Sequence, residues 1–171
     1  MQINPRVTAA FAILVAAAAG TVAAHYEGYK ARAYHDVAHV VTACRGHTGA
    51  DVQLGRVYSP EQCDKWFQED MQKAAAGVFR CVRAPMSVNE AAAFADFAYN
   101  EGIGTFCKSS MARRANSGDP VGACDALFMY TAVYTYKWDP KKKIRVITGK
   151  KILRGLVLRR EAERTLCLTP P

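Results

Sequence analysis

The 171-residue sequence has no internal repeat, no C-x-x-C cysteine pair and, past its alanine-rich start, no low-complexity linker. The missing C-x-x-C spacing argues against a zinc ribbon or a thioredoxin-type motif. Glycine and proline stand at 12 and 7, ordinary counts that exclude a collagen-like repeat. Only one long run lacks charge, which excludes a polytopic membrane protein. What is there is a chain half hydrophobic and 22% charged. That composition is not that of a disordered segment, and the length fits one domain with a buried core.

Acid is scarce in one place. Between Lys137 and Arg160 lie ten bases and the single acid Asp139, a local charge of +9 in a chain of net charge +8. The remainder is therefore close to neutral, at −1. A patch of this kind is either a solvated basic loop or an attractor of polyanions: nucleic acid, anionic lipid heads or envelope polymers.

Residues 7–24 carry no charge and comprise fifteen hydrophobic residues, two Thr and one Gly. Eighteen residues at about 1.5 Å each give roughly 27 Å, enough for a helix to cross a bilayer core. Nine of the eighteen are Ala, and only Phe11, Ile13 and Leu14 are large, so the grip on lipid is weak. The run reads as a cleaved signal peptide, a permanent anchor, a releasable anchor or a buried soluble helix. Cleavage after Ala24 would leave Glu27 almost at the new terminus. Arg6 on the short N-terminal side favours insertion with the C-terminus outside. The six cysteines, Cys44, Cys63, Cys81, Cys107, Cys124 and Cys167, all lie beyond the run. An even count past an export signal reads as a disulfide framework rather than as buried thiols. Fifteen complete pairings are open, and the sequential one (Cys44–Cys63, Cys81–Cys107, Cys124–Cys167) is the expectation.

Local signals place most of the helices. Ser59-Pro60-Glu61-Gln62 joins an N-cap, a first-turn proline and a capping-box Gln, so a helix is expected over 60–77. Ser87 and Glu90 open a second, ended by Gly102 and Gly104. A short helix is expected over 110–116, another from Asp119-Pro120, and a last one over 156–166. Between Tyr34 and Tyr58 the helical period gives way to Val40, Val41 and Thr42 with punctuating glycines, which reads as a small antiparallel sheet. A second strand pair is expected within 144–152, turning at Thr148-Gly149. The fold class is α+β, mostly helical.

Glu27 and Asp36 lie nine positions apart, and Thr42 follows six later. Glu27 is expected on a short helix just after the apolar run, with Asp36 and Thr42 in the sheet region. Two carboxylates across a cleft are what glycosidic hydrolysis requires. One donates a proton to the leaving oxygen; the other, ionised, activates water or stabilises positive charge. A nearby hydroxyl can orient that water. On spacing alone, an N-capping Asp and a surface Glu explain the same residues.

The neighbouring residues weigh against that plainer reading. Glu27-Gly28, Tyr34-x-Asp36, Thr42 and Gly46-His47-Thr48 together resemble the active-site stretch of phage-type lysozymes, the endolysin muramidases. Tyr99-Asn100-x-Gly102 is similar to that family's aromatic-Asn-x-Gly segment, and the run from Ser110 to Asp119 to its next helix and turn. Gly155-Leu156-Val157-x-Arg159-Arg160-x-x-Glu163-Arg164 resembles its closing helix. The series runs in order from about Glu27 to Cys167 and is identified with the lambdoid signal-anchor-release kind of endolysin.

The resemblance implies a lysozyme-like domain over 25–171 behind a releasable apolar segment at 1–24. It implies Glu27 as general acid, a role that asks for apolar surroundings. Asp36 is the second carboxylate and Thr42 holds the attacking water. The reaction implied is inverting cleavage of the β-1,4 bond from N-acetylmuramic acid to N-acetylglucosamine. Asn100 lines the sugar cleft or caps a helix, and His47 braces the fold through a buried hydrogen bond. No metal or organic cofactor is implied. The partners implied are peptidoglycan and, before release, the inner membrane through residues 7–24; nucleic acid is not one. The basic stretch Lys137–Lys151 is longer than the equivalent loop in relatives, and the segment from Lys137 to Arg160 is a candidate contact to anionic envelope. Localisation follows as membrane-tethered and inactive, then periplasmic and active. His39 and Cys44 depart from the family by standing where glycine is usual. Rival readings are a lytic transglycosylase, which Asp36 and Thr42 oppose, a non-catalytic wall-binding protein, and a membrane-disrupting protein.

Overall fold

Four helices start where a side chain satisfies free backbone N–H groups. The computed structural model describes residues 9–36 and 39–170. Its chain order is α1 (Ala9–Tyr26), β1 (Lys30–His35), β2 (Val41–Cys44), β3 (His47–Thr48), α2 (Pro60–Cys81) and α3 (Val88–Glu101). There follow α4 (Ile103–Cys107), α5 (Ser110–Asn116), α6 (Pro120–Asp125), a 3₁₀ turn over Ala126–Tyr130, β4 (Ala132–Asp139), β5 (Ile144–Ile152) and α7 (Arg154–Leu168). Ser59 caps α2 by accepting from Gln62 N–H at 3.2 Å. Ser87 and Glu90 form the reciprocal box on α3, at 3.0 and 2.6 Å. Ser109 and Asp119 cap α5 and α6. Helix α2 runs on past Gly77, which lies against Ile103, to Cys81.

Helix α3 is the axis of the body: every residue from Ala91 to Ala98 is buried. Phe94, Phe97, Phe106, Met71, Met111 and Leu127 pack around it. A second, smaller core of Trp66, Tyr58, Val52, Ala33 and Ala43 lies under the three-stranded antiparallel sheet, ordered β1-β2-β3. The expected sequential pairing is found: Cys44–Cys63, Cys81–Cys107 and Cys124–Cys167 are disulfides. They join sheet to α2, α2 to α4, and α6 to α7.

One expectation is corrected. Residues 144–152 are one strand rather than a strand pair. Their partner is β4, and the turn falls at 140–143, where Asp139 Oδ1 accepts from Lys141 N–H and Lys142 N–H and Lys143 takes φ 53°. An Asp side chain builds this turn without glycine; Gly149 instead stands beside the irregularity between Thr135 and Tyr136. Helix α1 crosses the expected boundary at Ala24 without a break. Val15, Ala19 and Ala23, spaced by four, are fully buried against the body, where small side chains permit close approach. Among the described residues, no helix is long and apolar enough to cross a membrane.

Candidate active site

Glu27 sits one residue past α1, and its N–H donates to Ala23 O at 2.8 Å. The short helix expected for it is therefore the last turn of α1. Three ties hold that end. Tyr26 OH donates to Leu158 O at 3.1 Å, Arg45 Nη1 to Ala24 O at 3.4 Å, and Arg159 Nη1 to Glu27 Oε1. Glu27 is thus met by a guanidinium, not by the apolar wall the sequence reading asks for. Its other oxygen, Oε2, faces the β2–β3 turn: a Cβ added to Gly46 would stand 3.8 Å from it. Gly46 has φ 91°, a conformation that itself favours glycine. The Tyr99 hydroxyl from α3 donates to Arg45 O, so the same turn is tied to the central helix. Burial, with the Glu27 carboxylate beside it, holds this hydroxyl well above the usual tyrosine range, so it stays a donor.

Asp36 and Thr42 meet through one residue. Val40 N–H donates to Asp36 Oδ1 at 2.8 Å, and Thr42 Oγ1 donates to Val40 O at 3.1 Å. Backbone bonds close the turn, from Asp36 N–H to Val40 O and from His39 N–H to Asp36 O, both at 3.0 Å. His39 takes φ 60° and Cys44 φ 59°, so both positions flagged as departures do adopt the left-handed conformation. Each costs on the order of 1 kcal/mol relative to glycine. Thr42, buried, lies opposite Tyr34 on β1 and Thr48 on β3. The hydroxyl spends its proton on Val40 and keeps its lone pairs for an incoming donor.

A groove of about 350 Å³ opens beside Glu27, walled by Tyr26, Asn100, Leu153, Leu156 and Arg159. A larger one, about 560 Å³, runs between α1 and α2 but is lined by Ala16, Ala17, Phe67, Met71 and others without an ionisable group. Of the two, only the first is lined by charged side chains, Glu27 and Arg159.

A profile of the phage lysozyme family matches residues 24–163. The chain belongs to the phage lysozyme family. The SAR-endolysin of Pseudomonas phage phiKMV is 38% identical over 161 residues, which cover 93% of this chain and 90% of that one. The muramidase domain of SpmX from Asticaccaulis excentricus superposes with a TM-score of 0.76 at 25% identity, covering 90% of this chain and 96% of that one. The endolysin from Escherichia coli O157:H7 phage FAHEc1 gives 0.71 at 27%, covering 88% and 90%. The fold is lysozyme-like, and the chemistry is that of a lysozyme-type glycoside hydrolase.

In this phage lysozyme the organising side chain is Arg159, which the sequence places only as part of a motif. It is buried and grips Asp96 with two bonds, Nε to Oδ2 at 3.0 Å and Nη2 to Oδ1 at 2.9 Å, while holding Glu27 with Nη1. Burial alone would lower the guanidinium, but Asp96 and Glu27 outweigh it and hold it above its usual range. Arg160 pairs with Glu163 at 2.6 Å and donates to Asn100 Oδ1 at 2.8 Å. Asn100 therefore lines the groove with its amide oxygen engaged, and the helix end is capped at Gly102 instead. Asp96 is the residue sequence reasoning misses. Its signal was a lone acid inside the apolar run of α3, which demands a buried cation. Since Arg159 and Arg160 are buried, the exposed basic patch stops at Arg154. His47 braces the fold as expected: it is buried, stacks on Trp66 and bonds Asp70 through Nδ1 at 2.6 Å.

Proposed function

We propose that this phage lysozyme is a signal-anchor-release endolysin that cleaves the β-1,4 bond between N-acetylmuramic acid and N-acetylglucosamine with inversion. One observation carries the reading: Arg159 fixes Glu27 by one oxygen and leaves Oε2 toward the turn of the sheet that also carries Asp36 and Thr42. Glu27 donates the proton to the leaving oxygen from Oε2. Asp36 removes a proton from the attacking water, which Thr42 Oγ1 holds by accepting its other hydrogen. Asn100 and Leu156 line the sugar groove. The apolar stretch 7–24 tethers the enzyme to the inner membrane until it leaves the bilayer and docks as α1, delivering Glu27 to Arg159. The SAR-endolysin relative, the alanine-rich composition and the absence of cysteine before residue 25 support this route.

The test is release of reducing ends from purified cell wall. Glu27→Gln loses at least a thousandfold with its thermal unfolding unchanged. Proton NMR of the first product made by the unaltered enzyme shows the α anomer. Full activity in the Gln variant removes Glu27 from the acid role, and a β product removes inversion. Wall-independent killing of cells by the Gln variant favours the membrane-disrupting reading.

A further inference from the structure

The hairpin β4–β5 takes no part in the site, yet it carries an unusual surface. Directly paired residues of antiparallel strands share a face, and the register pairs Tyr134 with Lys150, Tyr136 with Ile147 and Ala132 with Ile152. Tyr134, Tyr136 and Trp138, alternate residues of β4, therefore lie with Ile147 and Ile152 on one face. Four of these five side chains are more than half exposed, Ile147 and Ile152 by 60% and 63%. Eight residues at about 3.4 Å each carry this face roughly 27 Å from the base to the tip. From Lys137 to Lys151 the hairpin has seven bases and one acid. That acid, Asp139, is spent on the turn, which leaves Lys141, Lys142 and Lys143 exposed at the tip.

We propose that this hairpin is a membrane-interface element that docks on a bilayer surface bearing anionic phospholipid headgroups. Tyr and Trp are the side chains that settle at headgroup depth, with an apolar ring and a polar atom to each. Exposed isoleucines gain from hydrocarbon. The lysine tip matches the negative headgroups in sign, and lysine stems can lie along apolar surface with the ammonium in water. A wall-glycan platform is the competing occupant. It would want carboxylate or amide side chains for sugar hydroxyls, and the aromatic strand offers none between Ala132 and Trp138. Branched aliphatic side chains also do nothing for a sugar ring. The face therefore fits lipid better than glycan. Docking would keep the enzyme beside the membrane after α1 has left it.

The chain has its own probe. It contains two tryptophans, Trp66, 6% exposed, and Trp138, 56% exposed; α1 contains neither, and comparison with Trp138→Phe separates the hairpin's signal from any change at Trp66. Full-length protein is titrated with vesicles of phosphatidylglycerol and phosphatidylethanolamine, and separately with phosphatidylcholine vesicles. The expected result is a blue shift of emission and quenching by brominated lipid with the anionic vesicles, absent in Trp138→Phe. Neutralising the tip (Lys141→Gln, Lys142→Gln, Lys143→Gln) lowers partitioning about a hundredfold. Hydrolysis of purified wall stays unchanged. No shift with anionic vesicles, or an equal shift with phosphatidylcholine, overturns the proposal. So does a shift produced by purified glycan strands instead, or one that depends on protein concentration without vesicles.

Discussion

Helices α1 and α7 both pack on α3 and both deliver a side chain to the site, yet they are held by opposite means. Helix α7 is fastened to α6 by Cys124–Cys167 and sinks Arg159, Arg160 and Glu163 into the interior. Helix α1 has no cysteine, buries Val15 and small alanines, and gains its polar ties only in its last turn. An alanine removes far less apolar area from water than a leucine, so the same face binds both protein and lipid weakly. Helix α7, which contributes Arg159, is cross-linked to the body, while α1, which contributes Glu27, is not; on the release route proposed above, α1 is the detachable partner. On that route, docking of α1 is the step that brings Glu27 to Arg159.

The largest break in this contrast comes from cutting the permanent side. Cys124–Cys167 closes a loop with a sequence separation of 43. Chain entropy gives such a closure about 4 kcal/mol, a model-dependent figure. Cys124→Ser with Cys167→Ser lowers the free energy of urea unfolding by that order. An unchanged midpoint would mean that the buried charges alone fix α7.

A smaller effect sharpens the other side. Ala17 and Ala24 are exposed on docked α1, whereas Ala19 and Ala23 are fully buried. Ala17→Leu with Ala24→Leu adds apolar area for lipid without touching the packing. That pair delays lysis in cells and leaves the purified protein fully active. Ala19→Leu or Ala23→Leu overpacks the interface at a cost of about 1–3 kcal/mol. Either variant lowers the activity of the purified protein, because Glu27 no longer reaches Arg159. If all four substitutions act alike in vitro, docking of α1 does not build the site.

The sequence made most of this legible where the determinants are local. Ser59, Ser87 and Asp119 mark their helix starts with side chains that accept from the backbone N–H three residues on. Of the residues singled out in the sequence, Glu27 and Asn100 line the groove, whereas Asp36 and Thr42 lie together on the sheet side and outside its lining. Non-local features were harder. Asp96 meets Arg159 across 63 positions, and nothing near either residue announces the other. The β4–β5 turn escaped because Asp139 and a left-handed Lys143 do what Asn-Gly usually does. The end of the uncharged run at Ala24 and the short helix expected to carry Glu27 turn out to belong to one helix. The backbone continues to Tyr26 and stops before Gly28.

The smallest expected effect tests how permanent the α7 side is, through Glu163. Burial, with Asp96 beside it, pushes this carboxyl well above its ordinary 4.5, and the pull of Arg160 and Arg159 does not offset that. In the unfolded chain the group ionises near its ordinary value; in the fold it keeps its proton to higher pH. Over the interval between, the native state binds a proton that the unfolded state lacks, so stability falls as pH rises. The limiting slope for one such group is about 1.4 kcal/mol per pH unit. Glu163→Gln keeps the neutral form at every pH and removes the slope. Urea midpoints measured between pH 5 and 7 should therefore decline in the unaltered protein and stay level in the variant once other groups are subtracted. Parallel curves would mean that Glu163 is ionised in the fold, with the two arginines compensating its burial in full. The Arg160–Glu163 contact would then be a full ion pair, added to the Arg159–Asp96 pair and the disulfide that already hold α7.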